Sequence, residues 1–311
     1  LQVQRTRRDI FSIALLVAGA APLTAGCAGG SAGGPDGGIR RRQGARAGTL
    51  AALYGPTVQS GFAAFRGHHL AHESVLLSGG PNLAMSNSSV PAAPSPLPDQ
   101  PRTAQLAPAG LAAAEQSSLA ASATDLTVAS GRLAAVLVNI SACRALHCAA
   151  LGATSGSADA SEAAGAEPPI VTPTPGDLAA AQAILGAEHA AVYAYGALTP
   201  HLRGPQRNQA DGLYELHRQL RDTLEAAIAA HGATPAAGMA AYAFPQPPDN
   251  PASAAALAGY VESRVAAVCG NAAAVTTAAG RPYASWAVTG ACLRAYAWGR
   301  PITAFPAAIS T

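Results

Sequence analysis

The sequence predicts an all-α protein: an antiparallel four-helix unit in the C-terminal half, preceded by an additional helical region. Three observations carry this. Alanine dominates the composition, and it is the best helix former because it loses no side-chain entropy on burial. Aromatic residues are only 5% of the chain, and period-two runs of β-branched residues are absent, which argues against a β-rich fold. Proline and glycine, with capping residues beside them, fall between the alanine-rich stretches, the punctuation of helices joined by loops. Charged residues are 12% of the chain, about half the usual share, so small side chains must pack closely to fill the interior.

Residues 1–26 read as a lipoprotein-type export signal. Arg5, Arg7 and Arg8 precede the uncharged stretch from Ile10 to Gly26. That stretch is too short and too rich in small residues for a membrane span, which needs about 20 apolar residues. Thr6-Arg7-Arg8-Asp9-Ile10-Phe11 looks like a twin-arginine signal, which exports folded proteins. Leu23-Thr24-Ala25-Gly26-Cys27 then reads as a lipidation site, with Thr24 where such signals usually carry leucine. The expected mature chain begins at Cys27 and is anchored through acyl chains to the outer face of the bacterial cytoplasmic membrane. The alternative is an ordinary secreted protein with a chance cysteine.

Residues 27–49 are rich in glycine and arginine and read as a flexible tether. Its basic run, Arg40-Arg41-Arg42 with Arg46, reads as solvated, or as a contact for anionic headgroups. Residues 50–151 form the N-terminal helical region. One helix is expected around Phe62, Phe65 and Leu70, followed by a proline-rich loop at 86–108. The stretch from Leu111 to Leu151 has no proline and predicts one long helix, or two joined near Gly131, with Leu133, Val136, Ile140 and Leu146 inward. Residues 152–173 read as a linker dividing this region from the four-helix unit at 174–306.

In that unit, helix one opens at Thr174-Pro175-Gly176-Asp177: an N-cap threonine, a proline at the first helical position and an early acid. Leu185, Glu188, Val192 and Tyr195 share one face. Helix two runs from about Pro205 to His231, with Gly232 as the residue past its end and Leu213, His217, Leu220, Leu224 and Ile228 on one face. Helix three follows Asn250-Pro251, and helix four begins near Pro282. The loop from Gly232 to Asn250, carrying Tyr242 and Phe244, is expected to lie over the end of the core.

The formal charge of +2 gives no case for nucleic acid. Besides Cys27 there are four cysteines: Cys143, Cys148, Cys269 and Cys292. Exported proteins are in a disulfide-permissive compartment. Cys269 and Cys292 stand almost symmetrically about Gly280, which favours a disulfide across the hairpin of helices three and four, against two buried thiols. Cys143 and Cys148 point differently on one helix and do not bridge.

The stretch Leu185-Gly186-Ala187-Glu188-His189-Ala190-Ala191-Val192-Tyr193-Ala194-Tyr195-Gly196 resembles the first helix of the DUF4439 family. Leu216-His217-Arg218, Arg221-Asp222, Leu224, Arg281-Pro282 and Ala304-Phe305-Pro306 continue the resemblance in order, from Thr174 to Pro306. The resemblance implies a ferritin-like domain of the kind found in actinobacterial exported proteins. A di-iron bundle needs a glutamate from each of two helices and Glu-x-x-His from each of the other two. Glu188, Glu262 and His217 could contribute, but Tyr214 stands where the second helix needs its glutamate, and helix four has neither acid nor histidine. The expected arrangement is therefore a buried polar network, or a ligand cleft, of Glu188, Tyr193, Tyr195, His217, Arg221 and Glu262, without a bound cofactor.

Other metal candidates are weaker. His68 and His72 lie four apart and could grip a metal from one helical face, but they are read here as solvated. His147 with Cys143 lacks an evident third residue to orient it and reads as a chance pairing. No phosphate loop, nucleophile elbow or dinucleotide fingerprint appears. The leading expectation is a non-enzymatic, envelope-anchored protein that binds or scaffolds an envelope protein or small ligand. The rival is a metal carrier or metal-dependent oxidoreductase. Replacing Cys27 with alanine should abolish incorporation of labelled fatty acid and release the protein from the membrane fraction; an unchanged membrane fraction would refute the lipid anchor.

Overall fold

The computed structural model describes residues 35–55, 62–78, 85, 87, 106–153 and 167–308. The export signal, Cys27 and most of the 86–108 loop and the 152–173 linker lie outside these. The described residues form eight α-helices and no strand: α1 (Pro35–Leu53), α2 (Ala63–Leu77), α3 (Pro108–Val128), α4 (Gly131–Ala150), α5 (Pro175–Leu198), α6 (Gly204–Ala230), α7 (Pro251–Val275) and α8 (Arg281–Ala297). The expected all-α class is what the structure shows.

Helix α1 replaces most of the expected tether. Its own sequence is a poor helix former, so tertiary partners must supply its stability. Arg40 Nε donates to Leu76 O (2.8 Å), while Arg42, Gln43 and Arg46 all donate to the carboxylate of Asp125 on α3. Ile39, Ala47 and Leu50 are buried beneath them. The basic run is thus largely committed to the fold.

The proline-free stretch is two helices. Helix α3 stops at Val128, and Ser130 caps α4 by accepting from Leu133 N. Gly131 sits at the break because α7 approaches there. A Cβ at this position would lie 2.0 Å from Ala274 O. Helix α4 is long and apolar enough to cross a membrane, with mean hydropathy 1.6, but it is mostly buried among the other helices, as a core helix is. It packs on α3, α7 and α8.

In the C-terminal half the predicted caps form. Thr174 accepts from Asp177 N, and Asn250 makes a capping box with Ser253. Asp177 Oδ1 also accepts from Thr277 N (2.8 Å), tying the start of α5 to the α7–α8 turn. Gly232 follows α6 with φ of 80°, the left-handed conformation that glycine adopts without strain. Helix α5 packs between α6 and α7, and α7 packs on α8. The 232–250 loop runs along the outside of α5, where His189 and Gln182 donate to Ala236 O and Thr234 O.

The two halves share one core, running from Ile39 through α4 to Ala307. Arg281, at the start of α8, donates to the last carbonyls of α3, Leu126 O and Thr127 O. Residues after α8 fold back so that Phe305 is fully buried and Ala307 N donates to Asn139 Oδ1 on α4 (2.9 Å).

Replacing Gly131 with alanine should lower the thermal midpoint, at an overpacking cost of about 1–3 kcal/mol. Gly186→Ala, on the exposed face of α5 with nothing near its would-be Cβ, should stabilise by up to about 1 kcal/mol. Calorimetry of both variants checks the contrast.

Candidate functional site

Two buried polar clusters stand out. The first joins α5, α6, α7 and α8. His217 on α6 holds Glu188 of α5 through Nδ1 (2.6 Å) and Glu262 of α7 through Nε2 (3.0 Å). Arg294 of α8 donates through Nε to Glu262 Oε2 (2.8 Å). Tyr195 donates its hydroxyl to Glu262 Oε1 (2.8 Å) and accepts from Trp298 Nε1 (3.0 Å). Burial alone would depress the His217 pKa, but the Glu262 and Glu188 carboxylates outweigh it and raise it to about 9. Burial likewise opposes ionisation of Glu262, but Arg294 and then His217 hold its pKa at about 2. At neutral pH this is a protonated imidazole between two carboxylates, with both ring nitrogens donating.

That geometry decides the di-iron question for these residues. They supply two carboxylates and one imidazole, with a guanidinium in contact with one carboxylate. A di-iron pair needs twice that ligand set or more. The residues do not fit it. They do form a satisfied ion-pair network of the kind that fixes helix register.

The second cluster joins α2, α3 and α4. Glu115 Oε1, on α3 and fully buried, accepts from Tyr54 Oη (2.9 Å), His69 Nε2 (2.8 Å) and His147 Nδ1 (2.8 Å). The other nitrogen of His147 faces His68 Nδ1 (3.0 Å) and Cys143 Sγ (3.4 Å). Phe65 stacks on the His147 ring at 3.9 Å between centroids. Burial presses His147 and His68 down to pKa values of about 4, the His147 ring adding to the effect on His68. Burial opposes ionisation of Glu115, yet the hydrogen bonds from His147 and His69 hold its pKa well below the ordinary range. The imidazoles are therefore neutral at pH 7, and each keeps one nitrogen with a lone pair. Two ligand sets arise: His68, Cys143 and His147, and His69, Glu115 and His147.

Glu188, Tyr195, His217 and Glu262 come together as one network. Tyr193 and Arg221 do not join it. Tyr193 is exposed and packs on Tyr242 and Phe244 in the loop outside α5. Arg221 pairs with its neighbour Asp222 on the outer side of α6. Arg294 and Trp298 take those places; an arginine in an alanine-rich helix gives little periodic signal of burial.

Cys269 and Cys292 are buried free thiols rather than a disulfide. The turn spans residues 276–280 rather than a point at Gly280. At 1.5 Å per residue Cys269 lies about 9 Å from the end of α7, and Cys292 about 16 Å from the start of α8. The two thiols are thus not at matching distances from the turn.

His68 and His72 are buried, not solvated. His72 Nε2 donates to Ala304 O (2.7 Å), which takes it out of any ligand pair with His68. The residue that orients His147 is Glu115. It lies on another helix, so no local spacing revealed it.

Residues 180–309 match the family described as Domain of unknown function (DUF4439), and the chain belongs to that family. It is also similar to a crystal structure of a conserved hypothetical protein, rv2844, from Mycobacterium tuberculosis, at 31% identity over 41% of this chain and 94% of that one, with a TM-score of 0.36. No curated protein matches. The matched segment contains the Glu188–His217–Glu262 network. The Glu115 cluster lies before it.

The two clusters predict opposite pH limits. The folded pKa of His217 exceeds its ordinary 6.5, so its contribution is complete below pH 6.5 and is lost as pH rises through about 9. The folded pKa values of His68 and His147 are depressed, so the stability they confer is lost as pH falls from 6.5 through about 4. Denaturant midpoints should fall on both sides of a neutral plateau, and His217→Gln should remove the alkaline fall. Arg294→Ala, which strips a partner from buried Glu262, should cost about 3–5 kcal/mol.

Proposed function

We propose that this protein binds a transition-metal ion in the Glu115 cluster of its N-terminal helices. The reading rests on one observation: His68, His69, Glu115, Cys143 and His147 converge from three helices, each buried, at contacts of 2.8–3.4 Å. Burying five such groups is costly unless they share a proton network or a cation. Their hydrogen bonds are also incomplete: Glu115 Oε2 and His69 Nδ1 have no partner among the described residues. Neutral imidazoles, a carboxylate and a thiol are the donors that late first-row metals take.

The same geometry could be a Cys143–His147–Glu115 nucleophile, base and orienting acid. Burial pushes the Cys143 thiol well up, and the group is fully enclosed, so a substrate has no approach. Metal binding is the reading this set of donors supports. In this proposal the DUF4439 segment is a ferritin-like four-helix unit in which an ion-pair network stands in place of a di-iron centre. The protein is held at the outer face of the cytoplasmic membrane through Cys27, and it acts by binding rather than by catalysis.

Elemental analysis of the full-length protein, purified without chelators and reloaded with zinc, copper or cobalt, tests this. About one equivalent of metal, lost in His147→Ala but kept in His217→Gln, is the expected result. Metal lost in His217→Gln and kept in His147→Ala would move the site to the C-terminal network. No metal under any condition would refute the reading.

A further inference from the structure

The metal-binding reading leaves two ligand sets that share His147, and their geometries differ. In the His69–Glu115–His147 set, the two ring nitrogens do not face a common empty point. Both point at Glu115 Oε1 at 2.8 Å, as does Tyr54 Oη at 2.9 Å. These are hydrogen-bond lengths with a proton on each line of contact. A cation there would have to break all three bonds and push the oxygen away from each donor.

The His68–Cys143–His147 set is arranged differently. Cys143 and His147 are four apart on α4 and share a face, while His68 comes from α2. His147 Nε2 lies 3.0 Å from His68 Nδ1 and 3.4 Å from Cys143 Sγ, and all three atoms lie within 4.8 Å of one another. With metal–nitrogen bonds of about 2.0–2.1 Å and metal–sulfur bonds of about 2.3 Å, tetrahedral edges are about 3.3 Å between nitrogens and about 3.6 Å from nitrogen to sulfur. The two edges at His147 Nε2 need to open by only a few tenths of an ångström, and the third, between His68 Nδ1 and Cys143 Sγ, is at most 4.8 Å. Glu115 accepts the Nδ1 proton of His147, which fixes the tautomer and leaves Nε2 bare. A carboxylate behind a ligating histidine is the arrangement that orients metal-bound imidazoles.

We infer, on the footing of the metal-binding reading, that the ligands are His68 Nδ1, Cys143 Sγ and His147 Nε2. This set selects a thiophilic ion, zinc or copper(I), and Glu115 serves as the positioning residue behind His147. Two imidazoles and one thiolate favour such ions over magnesium, calcium or manganese, which take oxygen. The proton balance is simple. As the metal–sulfur bond forms, the thiol proton of Cys143 is released to solvent. Without metal, His68 Nδ1 donates to the bare His147 Nε2 at 3.0 Å; on binding that proton also leaves and solvent supplies one to His68 Nε2, so His68 binds as the tautomer protonated on Nε2.

Cobalt(II) is the probe, added to the full-length protein, because a thiolate ligand gives it a sulfur-to-metal charge-transfer absorption that nitrogen and oxygen ligands do not. The wild-type protein should show this band. Zinc, or copper(I) under reducing conditions, should displace cobalt and erase it, and the tighter competitor names the metal. Cys143→Ser should lose the band, with folding checked by its helical circular dichroism. Glu115→Gln should keep the band while weakening affinity about 10–100-fold, as loss of an orienting partner does. Cobalt bound without the band, insensitive to Cys143→Ser but abolished by His69→Ala, would overturn this ligand set while leaving the metal-binding reading intact. Cobalt, zinc and copper(I) all failing to bind the wild-type protein would overturn both.

Discussion

Helix α4 has almost no solvated face, and the rest of the molecule is arranged around that constraint. Its buried polar side chains cannot turn to water, and they find partners beyond the helix. Asn139 accepts from the backbone of Ala307, beyond α8. Arg144 donates to Ser122 on α3 (2.9 Å). His147 gives its Nδ1 proton to Glu115. These bonds fix the register of α4 against elements on both sides, and the alanine-rich surfaces between them close to contact distance. The continuity of the core across what reads in sequence as a linker follows from this one buried helix.

The two clusters show how surroundings set the charge of the same side chain. His217 and His147 are both fully buried, and both donate to a carboxylate. His217 lies between two carboxylates and is protonated. His147 has one carboxylate, shared with two other donors, and it has imidazole and arginine neighbours that oppose a positive charge. The first is an ion pair with its valences spent. The second retains lone pairs, which is why its chemistry points to a cation.

Legibility in sequence followed how local each signal is. Caps at Thr174 and Asn250, the residue after α6 and the inward face bearing Glu188 and His217 rest on neighbours a few positions apart, and periodicity found them. Helix α1 was illegible because its glycines and arginines argue against a helix. It forms because Asp125, some 80 residues away, collects three of its side chains. The i,i+4 pairing of Cys143 with His147 was visible, but its meaning lay in Glu115, on another helix and 32 residues earlier. The Cys269–Cys292 pairing misled because counting residues about a turn equates helical rise with loop path.

The hydrogen bond from His72 to Ala304 spans 232 residues. Its neighbour Phe305, at the edge of the His72 ring, is also exchanging hydrogen bonds with Asn87. During synthesis, α2, α3 and α4 therefore emerge long before the segment that seals them. Contacts this distant in sequence form late, since chain closure must precede the gain. The order of synthesis thus leaves His72 without its carbonyl partner until Ala304 has been made, so the C-terminal half of α2 is locked only when the chain is nearly complete.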